Sequence, residues 1–136
     1  MNNPENQSGI FPNGKLASPD HFMGKAWIKL LIPNDDILTC QVRNVIFDKG
    51  ARTNWHTHPG GQILIATDGI GYYQEKSKPI QMLHKGDVVN ILPGTMHWHG
   101  ATPDSAFTHI AINPMIQMED VVWLDKVTDE EYNNFH

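Results

Sequence analysis

From Lys25 onward the chain is cut into short apolar runs by turn-forming clusters, and this punctuation excludes most architectures. The interruptions are Pro33-Asn34-Asp35-Asp36, Asp48-Lys49-Gly50, Asp68-Gly69, Lys76-Ser77-Lys78-Pro79, Lys85-Gly86-Asp87, Pro93-Gly94 and Pro103-Asp104. Asn, Asp and Ser bend the backbone through local side-chain hydrogen bonds, Gly accepts positive φ, and Pro withholds a ladder donor. The runs between them are rich in β-branched and aromatic residues, and none has the pattern of a βαβ unit. Strands are predicted at about residues 25–31, 38–47, 53–56, 62–67, 71–74, 80–83, 88–91, 97–101 and 107–113, which implies an all-β sandwich or barrel.

The remaining segments frame that unit. Residues 1–24 are polar and rich in Asn, Pro and Gly, and read as an N-terminal arm anchored by Phe22 and Met23. Residues 25–127 form the barrel, with 121–127 as a last strand or an extended edge. Thr128-Asp129-Glu130-Glu131 has the capping-box pattern, so residues 128–136 are predicted to be a short C-terminal helix and tail.

Composition narrows the function. The 136 residues suffice for one domain, and 40% hydrophobic with 18% charged content fits a folded soluble chain. A net charge of −5 without a basic stripe argues against nucleic acid as a partner. No apolar run reaches the ~20 residues that span a bilayer, so no membrane role is expected. The opening MNNPENQSG lacks the basic and apolar regions of a secretory signal. Cys40 is the single cysteine, which excludes a disulfide framework and makes the cytoplasm the expected location. It is expected to pack as a small apolar residue in a strand.

Four residues stand out as donors to one divalent metal: His56, His58, Gln62 and His97. On an extended segment His56 and His58 point the same way. The tight Pro59-Gly60-Gly61 connection brings Gln62 back beside them, and His97 arrives from a distant strand of the barrel. Imidazole suits Zn, Fe, Mn, Ni or Cu, whereas the amide oxygen leans toward a harder ion. Four protein ligands leave one or two positions for substrate on a five- or six-coordinate ion.

Gly50, five residues, His56-x-His58, three residues, Gln62, six residues and Gly69 resemble the first motif of the cupins. Gly86, five residues, then Leu92-Pro93-Gly94-Thr95-Met96-His97 resembles the second. Gln62 stands where most cupins carry Glu, and Leu92 where the second motif has its first Pro. The resemblance covers about two-thirds of the chain and implies a cupin-type double-stranded β-helix, a jelly-roll barrel. The runs WHTHPGGQ, GDVVN, HWHGATPDS, THIAI and VTDEEY are similar to single-domain bacterial cupins that include manganese-dependent hydroxynitrile lyases. In that group Gln replaces the Glu ligand. The resemblance thus implies one manganese ion per chain, with Fe, Zn or Ni open on donor chemistry, and a carbon–carbon lyase activity.

A neutral Gln leaves the ion its full divalent charge, which strengthens its attraction for cyanide, alkoxide, enolate or carboxylate. It also makes oxygen chemistry less accessible. If His97 points inward, His99 does too and Trp98 points away; His99 is then a general acid–base candidate, or a hydrogen-bonded orienter of a ligand. His109, Ala111 and Asn113 share a face of the following strand. His109 is a second proton-transfer candidate, and Asn113 a polar group at the cavity mouth; a structural hydrogen-bonding role is an equal alternative for both. Arg43 and Val45 share a face and are expected to line the substrate pocket, where an inward Arg43 would welcome an anion; the alternative for Arg43 on a long strand is to face solvent. His21, His84 and His136 are expected at the surface. Trp27, Trp55 and Trp123 are expected in packing or subunit contacts. Ile63 and Ile65 face away from the ligands and need cover, so a homodimer is expected. Besides the lyase, two readings are compatible with these residues: a metal-dependent dioxygenase or isomerase of small molecules, and a non-enzymatic metal or ligand binder.

Overall fold

The computed structural model describes residues 10–35, 37–115 and 121–135. The first nine residues of the arm, Asp36 of the first turn and His136 lie outside the described residues. Along the described chain come β1 (Lys15–Leu16), β2 (Phe22–Met23), β3 (Ala26–Ile32), β4 (Cys40–Phe47), β5 (Arg52–Thr53) and β6 (His56–Thr57). Then follow β7 (Gln62–Glu75), β8 (Gln81–His84), β9 (Val88–Ile91), β10 (His97–Ala101), β11 (Phe107–Pro114), β12 (Val122–Trp123) and one helix, α1 (Asp129–Tyr132).

All pairings are antiparallel, and β7 belongs to both walls of the jelly roll. Its first half pairs with β9 and with β11, and β11 continues outward through β4, β3 and β1. Its second half pairs with β8 and with β10, and β10 continues through β5 to β2 and through β6 to β12. Antiparallel sheets curled on themselves leave few open edges and enclose one apolar interior.

The long β7 departs from the expected turn at Asp68-Gly69. Gly69 has φ +73°, and the pairing with β11 shifts register between Thr108 and His109, so the strand bends without ending. Thr67 Oγ1 donates to the Thr108 carbonyl at 3.2 Å across this bulge. A side chain at residue 69 would overlap the Ala106 carbonyl oxygen. The Asp-Gly pair here is a corner that carries one strand from the first wall to the second. Residues 53–56 also depart from a single strand. Trp55 N–H leaves the ladder to reach the Asp125 carbonyl at 2.9 Å, which splits the segment into β5 and β6.

Phe47, Leu64, Tyr73, Ile91, Ala101 and Phe107 pack the barrel interior. Trp98 points away from it, as the alternation of β10 requires, into a second cluster with Trp55, Tyr72, Ile80, Val127 and Tyr132. The C-terminal segment covers this cluster. Arg52 donates to the Val127 carbonyl at 2.9 Å and to Asp129 at 2.9 Å, and lies 4.3 Å over the Tyr132 ring. Tyr132 Oη in turn donates to the Ala101 carbonyl at 2.6 Å. The capping box of α1 forms as its sequence implies, with Thr128 accepting from Glu131 N–H.

Because residue 69 holds a left-handed conformation against neighbouring backbone, Gly69→Ala is expected to destabilise the fold by about 2 kcal/mol or more. Equilibrium denaturant unfolding checks this, and a loss under about 0.5 kcal/mol would contradict the corner role.

Candidate metal centre

The pairing of β6 with β10 sets His56 directly opposite His97. Their ring centroids lie 4.2 Å apart. His58 follows on the same side of the extended segment, 5.0 Å from His56 and 5.7 Å from His97 by ring centroid. The turn at residues 59–61 is pinned at the His58 carbonyl, which accepts from Gly61 N–H at 3.0 Å and Gly94 N–H at 3.1 Å. Gly61 takes φ +83° there, and the chain reverses to place Gln62 at the head of β7. Gln62 Oε1 then lies 3.1 Å from His97 Nε2. The motif spacing alone points to this convergence.

The hydrogen bonds fix which atoms face inward. His56 Nδ1 donates to the Asn54 carbonyl at 2.9 Å, and His97 Nδ1 donates to the Thr95 carbonyl at 2.8 Å. A neutral imidazole with its proton on Nδ1 presents a bare Nε2. Gln62 Nε2 donates to Asn113 Oδ1 at 2.9 Å, so its oxygen is the end that meets His97. Two acceptors therefore confront each other at 3.1 Å, an arrangement that a shared cation reconciles. Nitrogens of His56, His97 and His99 also lie within 4.8 Å of one another. His99 Nε2 is buried without a hydrogen-bond partner. Bare nitrogens, a carboxamide oxygen and an orphaned buried nitrogen fit a divalent ion. The tight nitrogen triad includes His99 and leaves His58 outside it, whereas the sequence motif includes His58.

Behind the triad, His109 Nε2 and His99 Nδ1 share one proton at 3.1 Å. Burial holds both imidazoles neutral, His109 down to about 3 and His99 well below its ordinary value, with repulsion from neighbouring histidines adding to the latter. Burial likewise lowers His97 to about 4 and His56 well below 6.5. The unprotonated forms that ligation and base chemistry require are thus the resting forms at neutral pH.

A cavity of about 330 Å³ opens onto these groups. It is lined by His56, His58, Gln62, His99, His109 and by Arg43, Val45, Ala111 and Asn113, with Ile28 and Phe22 as apolar walls. That volume suits a small organic molecule. No carboxylate occurs among the described lining residues, and Arg43 brings a guanidinium to the wall.

The expectation for two aromatic residues is corrected. His21 is not simply at the surface, and Trp123 is not mere packing: their rings stack at 4.4 Å and both line the cavity. The pairing of β12 with β6 places Trp123 opposite His56, 4.9 Å away by ring centroid. Nothing near residues 21 or 123 in the sequence signals this, because the two segments meet only through the fold. His84 is exposed beside Asp87, as expected. Cys40 is half-buried at the start of β4.

Comparison with known proteins agrees with this architecture. The profile of the AraC-like ligand binding domain matches residues 48–119. The chain is 44% identical over 113 residues to a protein named (R)-mandelonitrile lyase from Granulicella tundricola, covering 83% of this chain and 86% of the relative. A cupin-like protein from Thermotoga maritima superposes with a TM-score of 0.89 at 48% identity, over 92% of this chain and 95% of its own. A cupin 2 conserved barrel domain protein from Rhodopseudomonas palustris shares the fold at 20% identity, with a TM-score of 0.66 over 86% of this chain and 76% of its own.

The depressed imidazoles make the metal-free fold sensitive to acid. As pH falls below about 6.5, the unfolded chain binds protons that folded His56, His97, His99 and His109 refuse, so stability present above that pH is lost. Each group contributes up to about 1.4 kcal/mol per pH unit until its folded value is reached. Denaturant unfolding of metal-free protein should lose stability as pH falls below about 6.5, and a stability unchanged between about pH 7 and about pH 5 would contradict neutral burial.

Proposed function

The chain belongs to the cupin family, and from that premise we propose that it is a metal-dependent carbon–carbon lyase of the hydroxynitrile lyase kind. The observation that carries the reading is the buried His99–His109 pair opening onto a cavity beside the convergent donors. A barrel that merely bound or stored an ion would have no use for that space. The name borne by the Granulicella tundricola relative supports the same reaction class.

In this reading His56, His58, Gln62 and His97 hold one divalent ion, manganese by the resemblance of the Gln-containing motif. When bound, the ion supplies Lewis acidity that steadies negative charge developing on the substrate. The protein's own groups do the remaining work. A cyanohydrin hydroxyl gives its proton to a bare nitrogen of the His99–His109 pair. The carbon–carbon bond breaks as the oxygen forms a carbonyl, and the electron pair leaves with cyanide. Cyanide takes a proton back from the pair, which returns to neutrality. A neutral imidazole pair carries one proton between its rings and one at an outer nitrogen, so uptake at one end can accompany release at the other. Val45 and Ala111 give the organic part of the substrate an apolar wall. The charge-neutral Gln62 favours this redox-neutral chemistry over oxygen activation.

The assay is mandelonitrile cleavage by manganese-loaded protein, with benzaldehyde release followed by absorbance. Activity should fall roughly 10²–10⁴-fold in His109→Asn with manganese still bound. An inactive wild-type protein, or oxygen consumption with a small organic substrate, would overturn the lyase reading.

We also propose that a second copy covers the outer face of the first wall, where Ile63 and Ile65 lie opposite Ile112 and Ile110 and remain half-buried. Ile65→Glu should convert a dimer to a monomer by light scattering; a wild-type protein already monomeric at micromolar concentration would contradict this.

A further inference from the structure

The Asn113 carboxamide lies beyond the donor set, at the end of the β11 face that also carries His109 and Ala111. It is buried, on a strand paired with β7, and accepts the Gln62 Nε2 hydrogen bond at 2.9 Å. A primary amide has two ends of nearly equal size and opposite character. Which end of Gln62 faces His97 is therefore decided by the partner at its other end. With Asn113 accepting, Gln62 Oε1 faces the bare His97 Nε2 and offers oxygen to a cation. With both amides turned over, Asn113 would donate to Gln62 Oε1 and Gln62 would donate to His97. That arrangement pairs Gln62 with both His97 and Asn113 without an ion, and it points an N–H group at the ion's place.

We propose that Asn113 is the positioning residue that orients Gln62, so that the two carboxamides form a latch whose setting decides whether residue 62 is a metal ligand. The latch explains how a neutral amide serves at a position where a carboxylate, with two equivalent oxygens, needs no orienting. The inference rests on the metal reading above, with Gln62 as a ligand.

The test is Mn(II) affinity, measured by titration with electron paramagnetic resonance detection of free ion, together with metal-free melting temperatures. Asn113→Asp presents only acceptors, so it fixes Gln62 in the ligand setting. It should bind manganese within threefold of wild type or more tightly. Asn113→Leu removes the latch and should weaken binding by roughly 10–100-fold. In a Gln62→Glu background, where no amide needs orienting, Asn113→Leu should cost less than threefold. The latch is refuted if Asn113→Leu binds within threefold of wild type, or costs as much in the Gln62→Glu background as in the native one. If Asn113→Leu does not fold, Asn113→Asp decides alone: affinity kept or raised supports the latch, and a loss greater than threefold refutes it. A wild-type protein that fails to bind manganese overturns the metal reading itself, and is thereby distinguished from failure of the latch.

Discussion

Acceptor atoms crowded together without protons between them are the constraint around which this barrel is organised. Asn54 and Thr95 carbonyls take the Nδ1 protons of His56 and His97, and Asn113 takes the amide proton of Gln62. What remains is a buried cluster of lone pairs aimed at one place. In a water-poor interior such an arrangement is costly unless something positive is shared. Burial lowers the histidine pKa values, so protons are poor candidates for that role at neutral pH. The same burial that makes the bare cluster costly leaves its donors unprotonated and able to hold a divalent ion.

The rest of the fold serves this convergence. Strand alternation sends His97 and His99 inward and Trp98 outward, so one five-residue strand contributes both to the centre and to the cluster beneath the C-terminal segment. The bend at Gly69 lets β7 carry Gln62 in one wall and Tyr73 in the other. Pairing of β12 with β6 brings Trp123 beside His56, and with His21 it lines the cavity. A pocket assembled from β4, β6, β7, β10, β11 and β12 draws its lining from positions remote in sequence, which ties the site to the integrity of the whole barrel.

Much of this is legible in the sequence, and the reasons are local. Side-chain alternation with period two places His56 beside His58 and His97 beside His99 without knowledge of the fold. The turn residues place the ends of most strands, and the two Gly- and His-bearing motifs identify the family. Local signals fail where a residue's role depends on distant partners. Asp68-Gly69 has turn chemistry, yet the ladders on either side continue and turn it into a corner. Trp55 sits inside a β-like run, but the distant Asp125 carbonyl captures its N–H. His21 and Trp123 have no neighbouring motif at all. Asn113 is visible as a polar residue facing the cavity, whereas its hydrogen bond to Gln62 depends on the register between β11 and β7.

The central claim is that His56, His58, Gln62 and His97 meet on a single ion. Anomalous diffraction from crystals of the manganese-loaded protein, recorded near the manganese absorption edge, tests it most directly. The account predicts one peak per chain within bonding distance of Nε2 of those three histidines and of Gln62 Oε1, with Gln62 Nε2 turned toward Asn113. A peak coordinated by His99 instead of His58 would redraw the ligand set, and the absence of any peak near His56 and His97 would contradict the account.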